Sequence, residues 1–325
     1  MDQENSGNNG SSTTTEMQVA YINCVGQSGL NLAKQLEIQS FLMENVIDIL
    51  HLQECRIGED TFAKCGYITS NYNIIRNNTP NDNNYGTASL VRCDLEVTNI
   101  HTDESGRVIV FDTADCTWSN LYLPSGTAGN NRALREHYSS VTIPQLMIRR
   151  QAQGAVGGDL NCIISNLDSS RDPKSKLSPS FKNLVSSHDW TDSYRALHPR
   201  VKQYSRYYTN ACQGEGATRI DRSYHWGNIK TKSAEYVSIS FSDHLSLKVT
   251  YLLPCEVNRY LAPWTKPQYK IPPNVAKDET FKQRLKYKLI DWNIVKDSGV
   301  NISVWWEYMV KTGIKELAKG KRYRD

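Results

Sequence analysis

The feature that most constrains this chain is a series of short apolar runs, each of which stops on a polar residue. "GAVGGDLNCI", residues 154–163, is the clearest: the run reaches two glycines, and Asp159 and Asn161 follow at once. "QVAYINCV" is broken by Asn23, "VIDILHLQE" ends on Glu54, and "WSNLYLP" carries Tyr122 and stops at Pro124. "TRIDRSYHW" holds Asp221, and "YVSISFSDHLSLKVTYLL" is interrupted at Asp243 and His244. Runs of this length, rich in aliphatic and β-branched residues and bounded by Gly, Pro and Asn, predict strands. Helical patterns lie between them. "LNLAKQLEIQSFLMEN" has Leu32, Leu36, Phe41 and Leu42 at helical spacing, "NRALREHYSSVTIPQLMIRR" predicts a helix kinked before Pro144, and "SPSFKNLVSSH" a short one. "YSRYYTN" and "TRIDRSYHW", joined by the Gly-rich "ACQGEGA", predict a hairpin. This interleaving favours a layered α/β or α+β domain of packed sheets over a purely parallel one.

The 325 residues suffice for one large core with something appended. Residues 1–16 are dominated by Ser, Thr, Asn and Gly and predict a disordered tail; they lack the basic start and apolar stretch of a secretion signal. Residues 17–253 carry the strand–helix pattern. Residues 254–325 begin with a Pro-rich connector and continue as two basic amphipathic helices, "DETFKQRLKYKLIDW" and "VWWEYMVKTGIKELAKG". No apolar run approaches the roughly 20 residues that cross a bilayer, so a membrane partner is not expected. The 8 cysteines are scattered, with no zinc-like spacing, which suits a reducing compartment, nuclear or cytoplasmic. Residues 255–325 carry 15 Lys and Arg against 8 Asp and Glu, leaving 23 basic and 26 acidic residues before them. The first 254 residues are therefore not a generally basic polyanion binder, and contact with one must come from a local patch or a bound metal.

Taken singly, each polar strand end has an ordinary explanation. Gly, Asp and Asn are turn residues, Glu54 reads as a surface carboxylate or cap, and Tyr122 as half-buried packing. Asp221 between Arg219 and Arg222 reads as an ion pair, and His244 as a hydrogen-bonded core histidine. Taken together they have a chemical logic. Carboxylate and carboxamide oxygens suit a hard cation such as Mg²⁺. A His beside an Asp suits proton transfer. Metal, His–Asp pair and amide donors are what phosphodiester hydrolysis asks for.

The ordered set "YINCVG", "LHLQE", "YGTASLV", "NLYLPSG", "GGDLN", "TRIDR" and "FSDH" resembles the endonuclease/exonuclease/phosphatase superfamily. It is most similar to the apurinic-endonuclease-like endonuclease domain of non-LTR (LINE-type) retrotransposons, over about residues 18–252. The resemblance implies a DNase I-like fold: a four-layer sandwich of two packed mixed β-sheets flanked by helices, here with a C-terminal helical extension. It implies metal ligation by Glu54, helped by Asn23 with Asp243 nearby, the metal being Mg²⁺ or, in its place, Mn²⁺. It implies that Asp159 orients and deprotonates the attacking water, and that Asn161 and Tyr122 contact the scissile phosphate. His244 would polarise that phosphate or act as acid/base, oriented by Asp221. Thr209 matches a phosphate-contacting Thr, and "TNACQGEGATR" matches a hairpin loop that enters the minor groove. Arg171, Arg206, Arg219 and Arg222 are the local cations expected to hold DNA phosphates. Leu123, Leu160, Ser125 and Gly126 depart from the usual motif without removing a catalytic group.

The segment after 254, with "WW" and a Lys-rich helix, looks like the linker preceding a reverse transcriptase. The expected activity is nicking of one strand of double-stranded DNA to leave a 3′-hydroxyl for target-primed reverse transcription, with element RNA or a reverse transcriptase domain as further partners. The alternatives are a phosphatase or phosphodiesterase of the same superfamily acting on a small phosphoester, and a catalytically silent nucleic-acid-binding derivative.

Overall fold

In a strand, alternate residues face opposite sides. Here the inward-facing positions are largely apolar, and polar residues gather at one end of several strands. The computed structural model describes residues 14–26, 30–79, 86–114, 116–126, 129–148, 150–171, 177–210, 214–254, 278–297 and 313–314. In chain order the elements are β1 (Thr14–Asn23), α1 (Leu32–Asn45), β2 (Ile49–Gln53), α2 (Gly66–Asn71), β3 (Tyr72–Asn78), β4 (Gly86–Arg92), β5 (Val97–Thr102), β6 (Val108–Thr113) and β7 (Cys116–Tyr122). They continue with α3 (Gly129–His137), a π-helical turn (Tyr138–Thr142), α4 (Ile143–Met147), β8 (Gln153–Asp159), α5 (Pro179–Ser187), β9 (Thr191–Asp192) and α6 (Ser193–Leu197). Last come β10 (Arg206–Asn210), β11 (Gly214–Thr218), β12 (Asp221–Trp226), β13 (Lys230–Val237), β14 (Ser246–Pro254) and α7 (Glu279–Asp297).

Two six-stranded mixed sheets result, ordered β13-β14-β1-β2-β4-β3 and β5-β6-β7-β8-β12-β9. Their facing surfaces share one core: Met17, Val19, Tyr21 and Ile49 with Leu247, Val249 and Tyr251 from the first sheet, Ile109, Phe111, Trp118 and Ala155 from the second. The outer face of the second sheet (Val108, Val110, Leu121, Val156, Tyr224) is covered by Tyr138 of the π turn, Ile143 of α4, and Phe181 and Leu184 of α5. The expected architecture of two packed mixed sheets flanked by helices is the observed one. The predicted kink before Pro144 is that π turn, which runs directly into α4 with Pro144 among its first residues.

The chain divides into two units, and β1, β2, β4–β14 and α3–α6 belong to the first. The second gathers residues 30–46, 57–73 and 261–325. Within it α1 is capped by Asn31, whose side chain accepts from Lys34 N at 3.0 Å, and Gln39 Oε1 of α1 accepts from Tyr67 N of α2 at 2.9 Å.

Three boundaries differ from the sequence reading. β1 starts at Thr14, paired with Pro254, three residues ahead of the boundary set at 17. The hairpin partner of β10 is β11, inside the Gly-rich segment itself, and not "TRIDRSYHW", which becomes β12 of the second sheet. β5 went unread because it is largely exposed and has no apolar run. "DETFKQRLKYKLIDW" falls in α7. Residues 1–13, the connector 255–277 and nearly all of the second basic helix lie outside the described residues.

Among the buried polar groups of the core is a histidine. His51 of β2 faces inward, stacks on Tyr21 with ring centroids 5.0 Å apart, and bonds Ser89 Oγ through Nδ1 at 2.8 Å. Complete burial pushes its pKa down to about 3. A base whose folded pKa lies below its unfolded value stabilises the fold above pH 6.5 and loses that contribution as pH falls, by about 1.4 kcal/mol per unit. Urea unfolding at pH 7.5 and pH 5.0 should therefore show the wild type losing about 2 kcal/mol more than His51→Phe. Equal losses would mean that His51 does not carry the acid sensitivity.

Candidate active site

Parity and parallel pairing bring the polar strand ends to one place. β1 and β2 run parallel, as do β7 and β8, so Asn23, Gln53, Tyr122 and Asp159 all arrive at carboxyl ends of strands. Tyr122 is the direct neighbour of Asp159 on β7 and β8, and Asp221 is the neighbour of Asp159 on β12. His244 enters from the β13–β14 connection, where it bridges Arg206.

The two glycines of "GGDLN" are both required. A Cβ on Gly157 would stand 2.7 Å from the Tyr21 ring. Gly158 has φ +135°, and its Cβ would lie 2.0 Å from the Leu121 carbonyl oxygen. Neither position admits a side chain, and the strand can then deliver Asp159 inward, 1% exposed.

Three donors converge on the Asp159 carboxylate. Oδ1 accepts from Asn161 N at 3.0 Å, and Oδ2 accepts from Asn23 Nδ2 and Asn161 Nδ2, each at 3.0 Å. Asn161 Nδ2 also donates to Leu123 O at 2.9 Å, and Asn23 Oδ1 accepts from Val25 N at 2.9 Å. The two amides thus form a cradle that fixes the carboxylate. Asn161 achieves its pose with a left-handed backbone, φ 47°. Burial pushes the Asp159 pKa up, and the charges of Asp221 and Glu54 push it further, against the pull of His244.

Glu54 follows the last residue of β2 and is also left-handed, φ 49°. Strict alternation would turn position 54 away from the inner face, and the positive φ re-aims it. Its Oε1 accepts from Tyr122 OH at 2.9 Å and its Oε2 from Gly26 N at 3.4 Å. Burial, followed by the Glu54 and Asp159 charges, pushes the Tyr122 phenol up, so it stays a donor. Arg107 lies over the Tyr122 ring, 4.8 Å from its centroid.

His244 Nδ1 meets Asp221 at 3.0 and 2.8 Å, both groups buried. Burial works against the imidazolium, but the Asp221 charge and hydrogen bond overcome it and raise the pKa to about 9. Asp243 is half-exposed; its Oδ2 accepts from Arg206 at 3.3 and 3.2 Å, and its Oδ1 is 3.8 Å from His244 Nε2.

A divalent cation fits this donor set. The charges of Asp221 and Glu54 add to burial in raising the Asp159 pKa, so negative charge is concentrated here, and the side-chain donors around it are oxygens apart from His244. Ligand atoms of Asp159, Asp221 and His244 lie within 4.8 Å of one another, but His244 and Asp221 are spent on each other. Glu54 is the carboxylate whose partners are a phenol and a backbone N–H.

The expected DNA-contacting residues separate into two groups. Thr209 is exposed on β10, Arg206 is about one-third exposed, and Arg171 donates to the Glu215 carbonyl of β11, so all three lie on or against the hairpin. Arg219 and Arg222 do not belong with them. They are 1% and 0% exposed, with Arg219 bonded to Asp168 at 2.8 Å and to Asp192 at 2.7 Å, and Arg222 donating to Cys162 O at 2.7 Å. A guanidinium closed off from solvent holds the fold and cannot reach a DNA backbone. The sequence also passed over Gln53, Asn120 and Arg107. A polar residue at an inward position of an apolar strand was the available signal for the first two.

No protein-family model matches the sequence, and no curated protein matches it. Solved structures do. The chain is similar to the AP endonuclease LMAP from Leishmania major (TM-score 0.59, 16% identity, over 74% of this chain and 88% of that one). It is similar to TDP2 from Caenorhabditis elegans (0.53, 20%, over 74% and 75%). It is also similar to the 3′ phosphatase NExo from Neisseria, solved bound to a product DNA hairpin (0.56, 19%, over 72% and 98%). At these identities the likeness establishes the fold: two packed mixed sheets flanked by helices in the DNase I-like arrangement.

Proposed function

We propose that the protein is a divalent-metal-dependent phosphodiester hydrolase acting on DNA, and that it nicks one strand to leave a 3′-hydroxyl from which a reverse transcriptase can prime. The observation that carries this reading is the convergence of an amide-cradled Asp159, an Asp221–His244 pair and a Glu54–Tyr122 pair at one set of strand ends. A cation held by Glu54, with Asn23 and Asp243 beside it, would neutralise charge on the phosphate. The other roles belong to the protein. Asp159, its carboxylate favouring a proton more than usual, accepts one from the attacking water. His244, protonated at neutral pH, offers positive charge to the phosphate oxygens. The Tyr122 phenol donates a hydrogen bond at the same mouth, and the partly exposed Arg206 and exposed Thr209 of β10 offer polar groups for a polynucleotide. A structural relative solved with a product DNA hairpin supports a DNA substrate, and the basic "WW" segment after 254 supports the retrotransposon setting.

The test is conversion of supercoiled plasmid to open circle by the full chain, with Mg²⁺ and with EDTA. Nicking with Mg²⁺ that EDTA abolishes is the expected result, and the nicked end should support extension by a polymerase without prior phosphatase treatment. A folded protein that leaves plasmid intact but releases phosphate from a small phosphoester would replace this reading with the phosphatase one.

A further inference from the structure

Beneath the Glu54–Tyr122 contact lies a pair of buried amides that the chemistry above does not use. Gln53 closes β2 and immediately precedes Glu54; Asn120 stands two residues before Tyr122 on β7. Both side chains are 0% exposed and face each other across the gap between the sheets. Gln53 Nε2 donates to Asn120 Oδ1 at 2.7 Å. Asn120 Nδ2 then donates to two backbone carbonyls of the opposite sheet, Leu52 at 3.0 Å and Ala88 at 2.9 Å. Leu52 and Ala88 are direct partners across β2 and β4, so one carboxamide grips both strands at once.

We infer that Gln53 and Asn120 are a positioning pair, which sets the sheet-to-sheet spacing so that Glu54 and Tyr122 meet at the mouth. The inference rests on the proposed hydrolase reading for its functional consequence, though not for its geometry. Stability alone does not account for the pair. Gln53 Oε1 is buried with no hydrogen-bond partner among the described residues. An orphaned buried oxygen is unfavourable, whereas two well-packed apolar side chains of similar volume would leave no such orphan on Gln53. What the amides provide, and apolar residues do not, is direction: three short hydrogen bonds hold β7 against β2 and β4 at fixed distance, one layer below the catalytic groups. Apolar contacts further down the gap, such as Trp118 on Tyr251 with centroids 6.1 Å apart, tolerate sliding. The Glu54–Tyr122 bond does not, because it joins a residue of one sheet to a residue of the other at 2.9 Å.

The direct test is a crystal structure of the full-chain Asn120→Leu variant, a readout that needs neither metal nor DNA. The Glu54–Tyr122 contact is expected to open beyond hydrogen-bond distance while the core away from the mouth superposes on the wild type. Mn²⁺ affinity measured by calorimetry should fall about 10-fold, since groups that orient ligands carry effects of that size. Plasmid nicking should lose a similar factor in kcat with KM for DNA unchanged. Gln53→Met, which leaves the Asn120 bonds to Leu52 and Ala88 in place, should give an intermediate effect, and it is the variant to use if Asn120→Leu does not fold. An intact Glu54–Tyr122 contact with only a lowered Tm overturns the inference. A wild type that shows no nuclease activity overturns the hydrolase reading and leaves this geometric outcome to be judged by itself.

Discussion

Asp159→Asn should lower the rate of plasmid nicking by about 10³-fold while leaving the fold as stable as before. The two halves of this expectation come from the same geometry. The carboxylate is an acceptor in all three of its hydrogen bonds, from Asn161 N, Asn161 Nδ2 and Asn23 Nδ2. A carboxamide of the same size keeps one acceptor oxygen, and it turns an N–H toward a donor at the other position. It also has no basic oxygen to take a proton from water, so the chemical step loses its base. Against the lost hydrogen bonds stands a relief of charge. Burial and the charges of Asp221 and Glu54 raise the Asp159 pKa, which means that ionising this group works against folding at neutral pH. Removing the charge returns that free energy. The check is a nicking rate and a thermal melt on the same preparation. A variant that keeps the wild-type rate within a factor of ten would remove Asp159 from the chemistry. A variant that melts far below the wild type would show that the cradle holds the fold together and does not merely hold the carboxylate.

Much of this site was legible in the sequence because strands reveal themselves by period and by where they stop. Asn23, Glu54, Tyr122, Asp159, Asp221 and His244 each stand at or beside the end of an apolar run, and the structure brings them together because parallel pairing of β1 with β2 and β7 with β8 aligns those ends. What the sequence could not show is which polar residue faces solvent. Arg219 and Arg222 flank Asp221 and read as surface cations. Their carboxylate partners, Asp168 and Asp192, are far away in the chain, and only the folded second sheet draws the four together. The hairpin was misjudged for a related reason. Gly214–Thr218 has poor strand propensity, and it is β10 beside it, from Arg206 to Asn210, that makes it a strand. Gln53 and Asn120 show in the sequence only as polar residues inside apolar strand runs, a signal that an amide faces inward but not of what it meets. Their partnership is a fact about two sheets, not about either segment.

Asp221→Asn should cost about 10²-fold in kcat and move the alkaline limit of activity to lower pH. Burial by itself disfavours the His244 imidazolium, and it is the Asp221 carboxylate, 2.8 Å from Nδ1, that reverses the balance and holds the pKa at about 9. With Asn in its place the hydrogen bond can survive but the charge cannot, and burial then prevails. The imidazole should be neutral at pH 7.5, unable to offer positive charge to a phosphate. The same shift makes a statement about stability. A histidine whose folded pKa is raised above its unfolded 6.5 contributes in full below pH 6.5 and loses that contribution as pH rises through 9. The contribution is on the order of 3 kcal/mol. Asp221→Asn should therefore destabilise the protein clearly at pH 6 and much less at pH 10, a pH trend opposite in sign to that of His51. The His244→Ala, Asp221→Asn double variant should be scarcely slower than His244→Ala alone, because Asp221 acts through the imidazole. If the two losses multiply instead, Asp221 has a task of its own at the phosphate, and the pair must be treated as two catalytic groups.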